Sequence, residues 1–143
     1  ISECLVGSEM CIETVHTHAK IDFTQGLDIR LLDQYDIQDV NKMRIGTLHF
    51  AWDNPNDNLK PKFEDFAKSF RRRTNIGTVY ILTNFGSTLD QDLYRIYTLR
   101  DLGYDPFVMI YNKPAAPKEV LRLQRWCNNK FVFKSTKSFN EYR

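Results

Sequence analysis

The chain of 143 residues is one domain in length, and its 42% hydrophobic and 13% aromatic residues are enough for a packed core. Its 20 basic and 18 acidic side chains leave a formal charge of +2 and a pI near 8.4, too balanced for a nucleic-acid binder that works by charge alone. No apolar run approaches the roughly 18 residues of a membrane span, the first twenty residues do not read as a secretory leader, and three irregularly spaced cysteines form no disulfide framework, so a reducing cytoplasm is the expected setting.

Ile1, Cys4, Leu5, Cys11, Ile12, Val15 and Ala19 recur at helical steps, interrupted by Gly7. Opening at Ile1, directly into a helical pattern, suggests a piece of something longer. A strand is expected at about 20–24, then a helix marked by Leu31, Leu32, Tyr35, Val40 and Met43, and a second strand after Arg44-Ile45-Gly46, starting near 47. Leu59, Phe63, Phe66, Ala67 and Phe70 predict an amphipathic helix ending in Arg71-Arg72-Arg73, cations that suit the negative end of a helix dipole. The third strand is 78–83, and its helix begins at Ser87 or Thr88, with Asp90 and Asp92 in the first turn. That helix runs through Leu89, Leu93, Ile96, Leu99 and Leu102 to a stop at Gly103. Pro106 precedes the fourth strand, near 107–110. After a loop between Pro114 and Pro117, the last core stripe is Val120, Leu123, Trp126 and Cys127. Residues 128–143 mix Phe131, Phe133, Phe139 and Tyr142 with cations, and no single pattern covers this tail.

Four successive β/α units about 30 residues apart predict one α/β domain over 1–143 with a parallel sheet. The sheet can curve as part of a TIM-like barrel or lie open and doubly wound. In both architectures ligands bind at the carboxyl ends of the strands. Those ends carry Gln25, Gly26, Asp28 and Arg30, then Asp53 and Asn54, then Asn84, then Tyr111, Asn112 and Lys113. Gln25, Asp28 and Arg30 suit a ribose, an amide or a carboxylate; an Asp28–Arg30 pair that only steadies the turn fits equally. Asp53 is an acceptor for a sugar hydroxyl or simply a turn former, and Lys113 a partner for an anion or an ordinary surface lysine.

Cys4 and Cys11, two helical turns apart with His16 and His18 nearby, match no compact zinc spacing, and core packing is expected for them and for Cys127; no metal site is assigned. There is no Gly-x-Gly-x-x-Gly and no phosphate-binding Gly-x4-Gly-Lys-Ser/Thr, only the strand-to-helix turn Thr83-Asn84-Phe85-Gly86-Ser87-Thr88. No Ser/His/Asp triad stands out, and His49 is expected to pack within its strand.

Asp22-Phe23-Thr24-Gln25-Gly26-Leu27-Asp28-Ile29-Arg30 resembles a segment that ends a strand in one branch of the radical S-adenosylmethionine (radical SAM) iron–sulfur proteins. His49-Phe50-Ala51-Trp52-Asp53-Asn54, Val79 to Phe85 and Gly103 to Tyr111 resemble the strands that follow in that branch, and Leu123 to Asn129 its closing helix. The resemblance, from about residue 20 onward, implies the carboxyl-terminal part of a partial (β/α)6 barrel in an iron–sulfur oxidoreductase. It implies Gln25, Asp28, Arg30, Asp53 and Asn84 on the cofactor side, with Asn54, Tyr111 and Lys113 as substrate-side candidates.

The family's Cys-x3-Cys-x2-Cys cluster motif is absent, because Cys4, Cys11 and Cys127 cannot supply that spacing. S-adenosylmethionine and a [4Fe–4S] cluster are therefore expected only in a longer protein whose preceding barrel strands partner this chain, and the isolated chain is expected to be inactive. Unpaired sheet edges would favour self-association. Two other functions suit the same pattern: a free-standing nucleotide- or phosphate-binding α/β module, and a structural domain that docks a protein partner.

Overall fold

A computed structural model describes residues 20–143. The helix expected over 1–19, with Cys4, Cys11, His16 and His18, lies outside the described residues. Strands β1 (His49–Ala51), β2 (Thr78–Thr83) and β3 (Asp105–Ile110) pair in parallel in the order β1-β2-β3. Helix α1 (Gln34–Lys42) precedes β1, while α2 (Lys60–Ser69) and α3 (Leu89–Leu102) connect the strands. Helices α4 (Lys118–Asn128) and α5 (Lys130–Ser135) follow β3. This is the expected α/β class, built on an open sheet and not on a closed barrel.

The strand expected at about 20–24 does not form. Ile21 makes one parallel bridge to Ile45, after which Phe23 N–H reaches Thr47 O (3.1 Å) and Leu27 N–H reaches His49 O (2.7 Å). The Asp22 carboxylate takes the Thr47 N–H (3.0 Å), and Gly26, at φ 87°, turns the chain where a strand would continue. Four expected strands thus become three, with an irregular segment along the outer edge of β1. The opposite edge is covered as well. The Asn128 amide accepts from Val108 N–H (2.7 Å) and donates to Val108 O (3.0 Å), in place of a neighbouring strand, and Pro106 tolerates this edge because it has no N–H to pair.

Sequential strand order with helical crossovers places the connecting helices on one face. Phe50, Val79, Ile81, Thr83, Pro106 and Val108 are buried on that face. On the other, His49, Ala51, Tyr80, Leu82, Phe107 and Met109 are half-buried or exposed. Neither a reversal of strand order nor a second helical layer occurs among the described residues, so the doubly wound alternative is not what forms.

Local signals explain the elements. Thr88 Oγ1 accepts from Gln91 N–H while the Gln91 side chain accepts from Thr88 N–H, a closed capping box at the start of α3. Gly103 ends α3 in the left-handed region at φ 95°, where a Cβ would collide with Arg73 O. The arginines after α2 do more than decorate a solvated end: Arg73 donates to Ala67 O and Lys68 O, capping the last carbonyls, and Arg72 reaches Ile45 O and Gly46 O.

In the α1 region, Leu31 and Tyr35 are 62% and 77% exposed, so they are not on the core stripe. Leu32, Ile37, Val40 and Met43 are. The tail folds back: Phe133 and Phe139 pack on Trp126 at 4.9 and 5.4 Å, and Arg122 lies over the Phe139 ring at 4.3 Å.

Candidate functional site

At the carboxyl ends of β1 and β2 a cleft of about 470 Å³ opens. Its rim comes from the segment after the Ile21 bridge, through Gln25, Gly26, Asp28 and Arg30, and from the turn after β1, through Asp53, Asn54 and Asp57. Phe50, Ala51 and Tyr80 form its inner wall. Gln25, Asp28, Arg30, Asp53 and Asn54, all candidates from the sequence, therefore surround one space. Asn84, Tyr111 and Lys113 do not line it.

Asp28 and Arg30 form a two-pronged ion pair, with Arg30 Nη2 at 2.7 Å from Asp28 Oδ2 and Nε at 2.9 Å from Oδ1. Arg30 holds the Asp28 carboxyl below its ordinary range through these hydrogen bonds, and Asp28 in turn holds the guanidinium up. Arg30 N–H also donates to Asp28 Oδ1 (3.0 Å), so the pair steadies its own turn while facing the cleft. Asn54 is committed to its turn, accepting from Asn56 N–H at 2.9 Å. Asp53 is exposed at the rim. The cleft therefore offers carboxylate acceptors and amide groups on one rim, with an apolar and aromatic wall behind. That combination suits a ligand with hydroxyl or amino groups and a flat body.

The remaining candidates tie the neighbouring strand ends together. Asn84, in the left-handed region at φ 60°, donates from its side chain to Tyr111 O at 3.0 Å, and the Tyr111 ring packs against Phe85 at 4.8 Å. Lys113 lies exposed in a helical turn over Lys113–Ala115. A smaller recess of about 320 Å³, lined by Asp53, Asn54, Leu82 and Phe85, adjoins the cleft.

Sequence reasoning missed Asp57, Tyr80 and Arg95. Arg95 is wholly buried beneath the rim and donates to the carbonyls of Trp52 (2.6 Å), Asp53 (3.2 Å) and Leu82 (3.0 Å). Its signal was an arginine among the leucines and isoleucine of α3. The signal for Tyr80 was alternation with the apolar Val79 and Ile81, which sends it to the opposite face.

No described residue can hold an iron–sulfur cluster. Cys127 is the one cysteine among them, and its thiol is buried, donating to Pro106 O at 3.4 Å. Among the described residues no His, Cys, Asp and Glu side chains gather as a metal site, and no helix is long and apolar enough to cross a membrane. No family model, curated protein or solved structure matches the chain.

Proposed function

We propose that this chain supplies the later strands of a larger β/α barrel of the radical SAM type, and that its strand-end cleft binds cofactor or substrate there. The gathering of Gln25, Asp28, Arg30, Asp53 and Asn54 around one cleft, at the carboxyl edge of a singly wound parallel sheet, carries this reading. That no described element covers the second face supports it, since parallel sheets are ordinarily covered on both sides and preceding barrel strands would enclose this one.

In such an enzyme the cluster would be held by cysteines from another part of the protein, because the described residues do not fit it. Asp28 and Asp53 fit the hydroxyl and amino groups of S-adenosylmethionine by chemical type. Tyr111 and Lys113 stand further along the strand ends, on the side left to the substrate, and Asn84 between them and the cleft keeps its assignment to the cofactor side.

Expression of the coding region extended upstream, with iron and sulfide reconstitution, tests the reading. A Cys-x3-Cys-x2-Cys segment and an iron–sulfide absorption band are the expected outcome, and an extended protein lacking both would end the proposal. Calorimetric titration of that protein with S-adenosylmethionine tests the cleft: Asp53→Ala should weaken binding about tenfold, by loss of a charged acceptor.

A second reading, a domain that docks a protein partner, draws on the uncovered sheet face. Its expected sign is concentration-dependent association in sedimentation.

A further inference from the structure

Helices bury one face of the sheet, and on the other an aromatic row crosses all three strands. The Tyr80 ring lies nearly parallel to His49, at 9° and 5.7 Å, and shares a hydrogen bond with it, Oη to Nδ1 at 3.2 Å. On its other side Tyr80 meets Phe107 edge to face at 5.6 Å, and these two residues are direct partners in the sheet register. Phe107 is 37% exposed and Met109, two residues along the same strand, 46%. None of these side chains belongs to the buried core, and Tyr80 also lines the strand-end cleft.

We propose that the His49–Tyr80–Phe107 row is the wall on which the substrate lays a planar heteroaromatic ring while its polar groups reach into the strand-end cleft. The proposal deepens the cleft reading given above, and rests on it for the polar half of the ligand. Aromatic rings on an open sheet face are stacking surfaces for flat π systems and tolerate ring identity, because every such ring has a π face. The hydrogen bond between His49 and Tyr80 fixes two rings nearly parallel before a ligand arrives, and Phe107 flanks them at a steep angle, 79° to Tyr80.

Size argues for a small molecule over a second copy of the chain. Three strands about 4.8 Å apart, with some six residues at about 3.3 Å each, make a face of roughly 200–300 Å². A stable dimer needs about 800 Å² from each partner. A purine-sized ring fits the smaller figure, and the adjoining cleft of about 470 Å³ takes a polar appendage.

The test is titration of the protein with benzimidazole, inosine and ribose, followed through the ring signals of His49, Tyr80 and Phe107 by NMR. Benzimidazole and inosine should shift the signals of all three rings, and ribose should not. Tyr80→Leu, or Phe107→Leu should the first variant fail to fold, should weaken inosine about tenfold or more. Inosine weakened by Asp53→Asn with the three rings unmoved would overturn the wall and leave the cleft standing. Moved rings with unchanged inosine affinity in Asp53→Asn would leave the wall and sink the cleft. Silent rings that show contacts to another protein segment would assign the face to that segment and end the proposal.

Discussion

Arg95 Nη2 donates to Asp92 Oδ1 at 2.6 Å, one turn apart on α3, and both side chains are 1% exposed. The guanidinium also reaches carbonyls of two strand ends, Trp52 and Asp53 after β1 and Leu82 within β2. Burial pushes the Asp92 carboxyl up and the Arg95 guanidinium down, and the bond between them opposes both shifts. A buried ion pair seldom adds net stability over well-packed apolar residues. What this pair adds is position, since it ties the rim residue Asp53 to the second strand through one rigid planar group.

Arg95→Met should therefore cost about 3–5 kcal/mol, because it leaves the Asp92 carboxylate buried and unpaired beneath three carbonyls that lose a donor. Against a typical stability of about 5–15 kcal/mol this is a large fraction. Urea unfolding should show a lower midpoint at an unchanged m-value. The double variant Asp92→Leu/Arg95→Met should recover part of the loss but not all of it, since the carbonyls stay unsatisfied. A single-variant loss under about 1 kcal/mol would contradict the assignment.

The Asp28–Arg30 pair makes a pH prediction of definite sign. Arg30 lowers the Asp28 pKa from its ordinary 3.8, so the stability this carboxylate contributes is fully present above that value. It is lost as pH falls through the lower, folded-state value. NMR titration of the Asp28 carboxyl carbon should give a midpoint below 3.8, and Arg30→Ala should return it toward the ordinary value. An Asp28 midpoint unaffected by Arg30→Ala would show that the pair does not persist in solution.

Periodicity carried most of the fold. The alternation over 78–83 names β2 to the residue, and Thr88 and Gly103 bound α3 because capping and left-handed backbone have local chemical requirements. The first strand misled because Ile21 and Phe23 alternate like a strand, while the Asp22 carboxylate is taken by Thr47 N–H, a tertiary partner that no local pattern encodes, and Gly26 closes a turn onto Phe23 O. The site was legible in the same measure. Strand ends declare themselves, so Gln25, Asp28, Arg30, Asp53 and Asn54 could be named, but which strand ends share a cleft depends on register. Arg95 stood out as an arginine among apolar residues, but its role was illegible because it is set by three carbonyls that lie 13 to 43 residues away in the chain.

Gly103→Ala should destabilise by at least about 1 kcal/mol. The left-handed backbone at φ 95° penalises any Cβ, and here the Cβ would also press on the fixed carbonyl of Arg73. Thermal unfolding measures it. Gly86→Ala is the matched control: it shares the positive φ, at 73°, but its Cβ would meet nothing within 4 Å. The difference between the two variants isolates the collision from the backbone strain, and equal losses would mean that Arg73 gives way freely.

The Cys127 thiol should be inert in the native protein. It is 2% exposed, packed beside Trp126 on α4, and burial pushes its pKa far above the ordinary thiol range, with Asp105 adding in the same direction. Only the thiolate reacts, so at pH 8 labelling with iodoacetamide must wait for unfolding. Mass spectrometry resolved by peptide separates Cys127 from Cys4 and Cys11, and Cys127 should label at the rate at which urea unfolds α4. The sign for stability follows from the same shift. Native and unfolded states are equally protonated at Cys127 below the unfolded thiol pKa of about 8.5, and above it the unfolded state alone loses the proton, so stability falls as pH rises. Cys127→Ser should remove that alkaline slope while lowering the baseline, because a hydroxyl replaces a buried thiol that acts as a small hydrophobe. Rapid labelling of Cys127 in the folded protein would mean that α4 opens locally, and the protection of the β3 edge by Asn128 would then have to be transient as well.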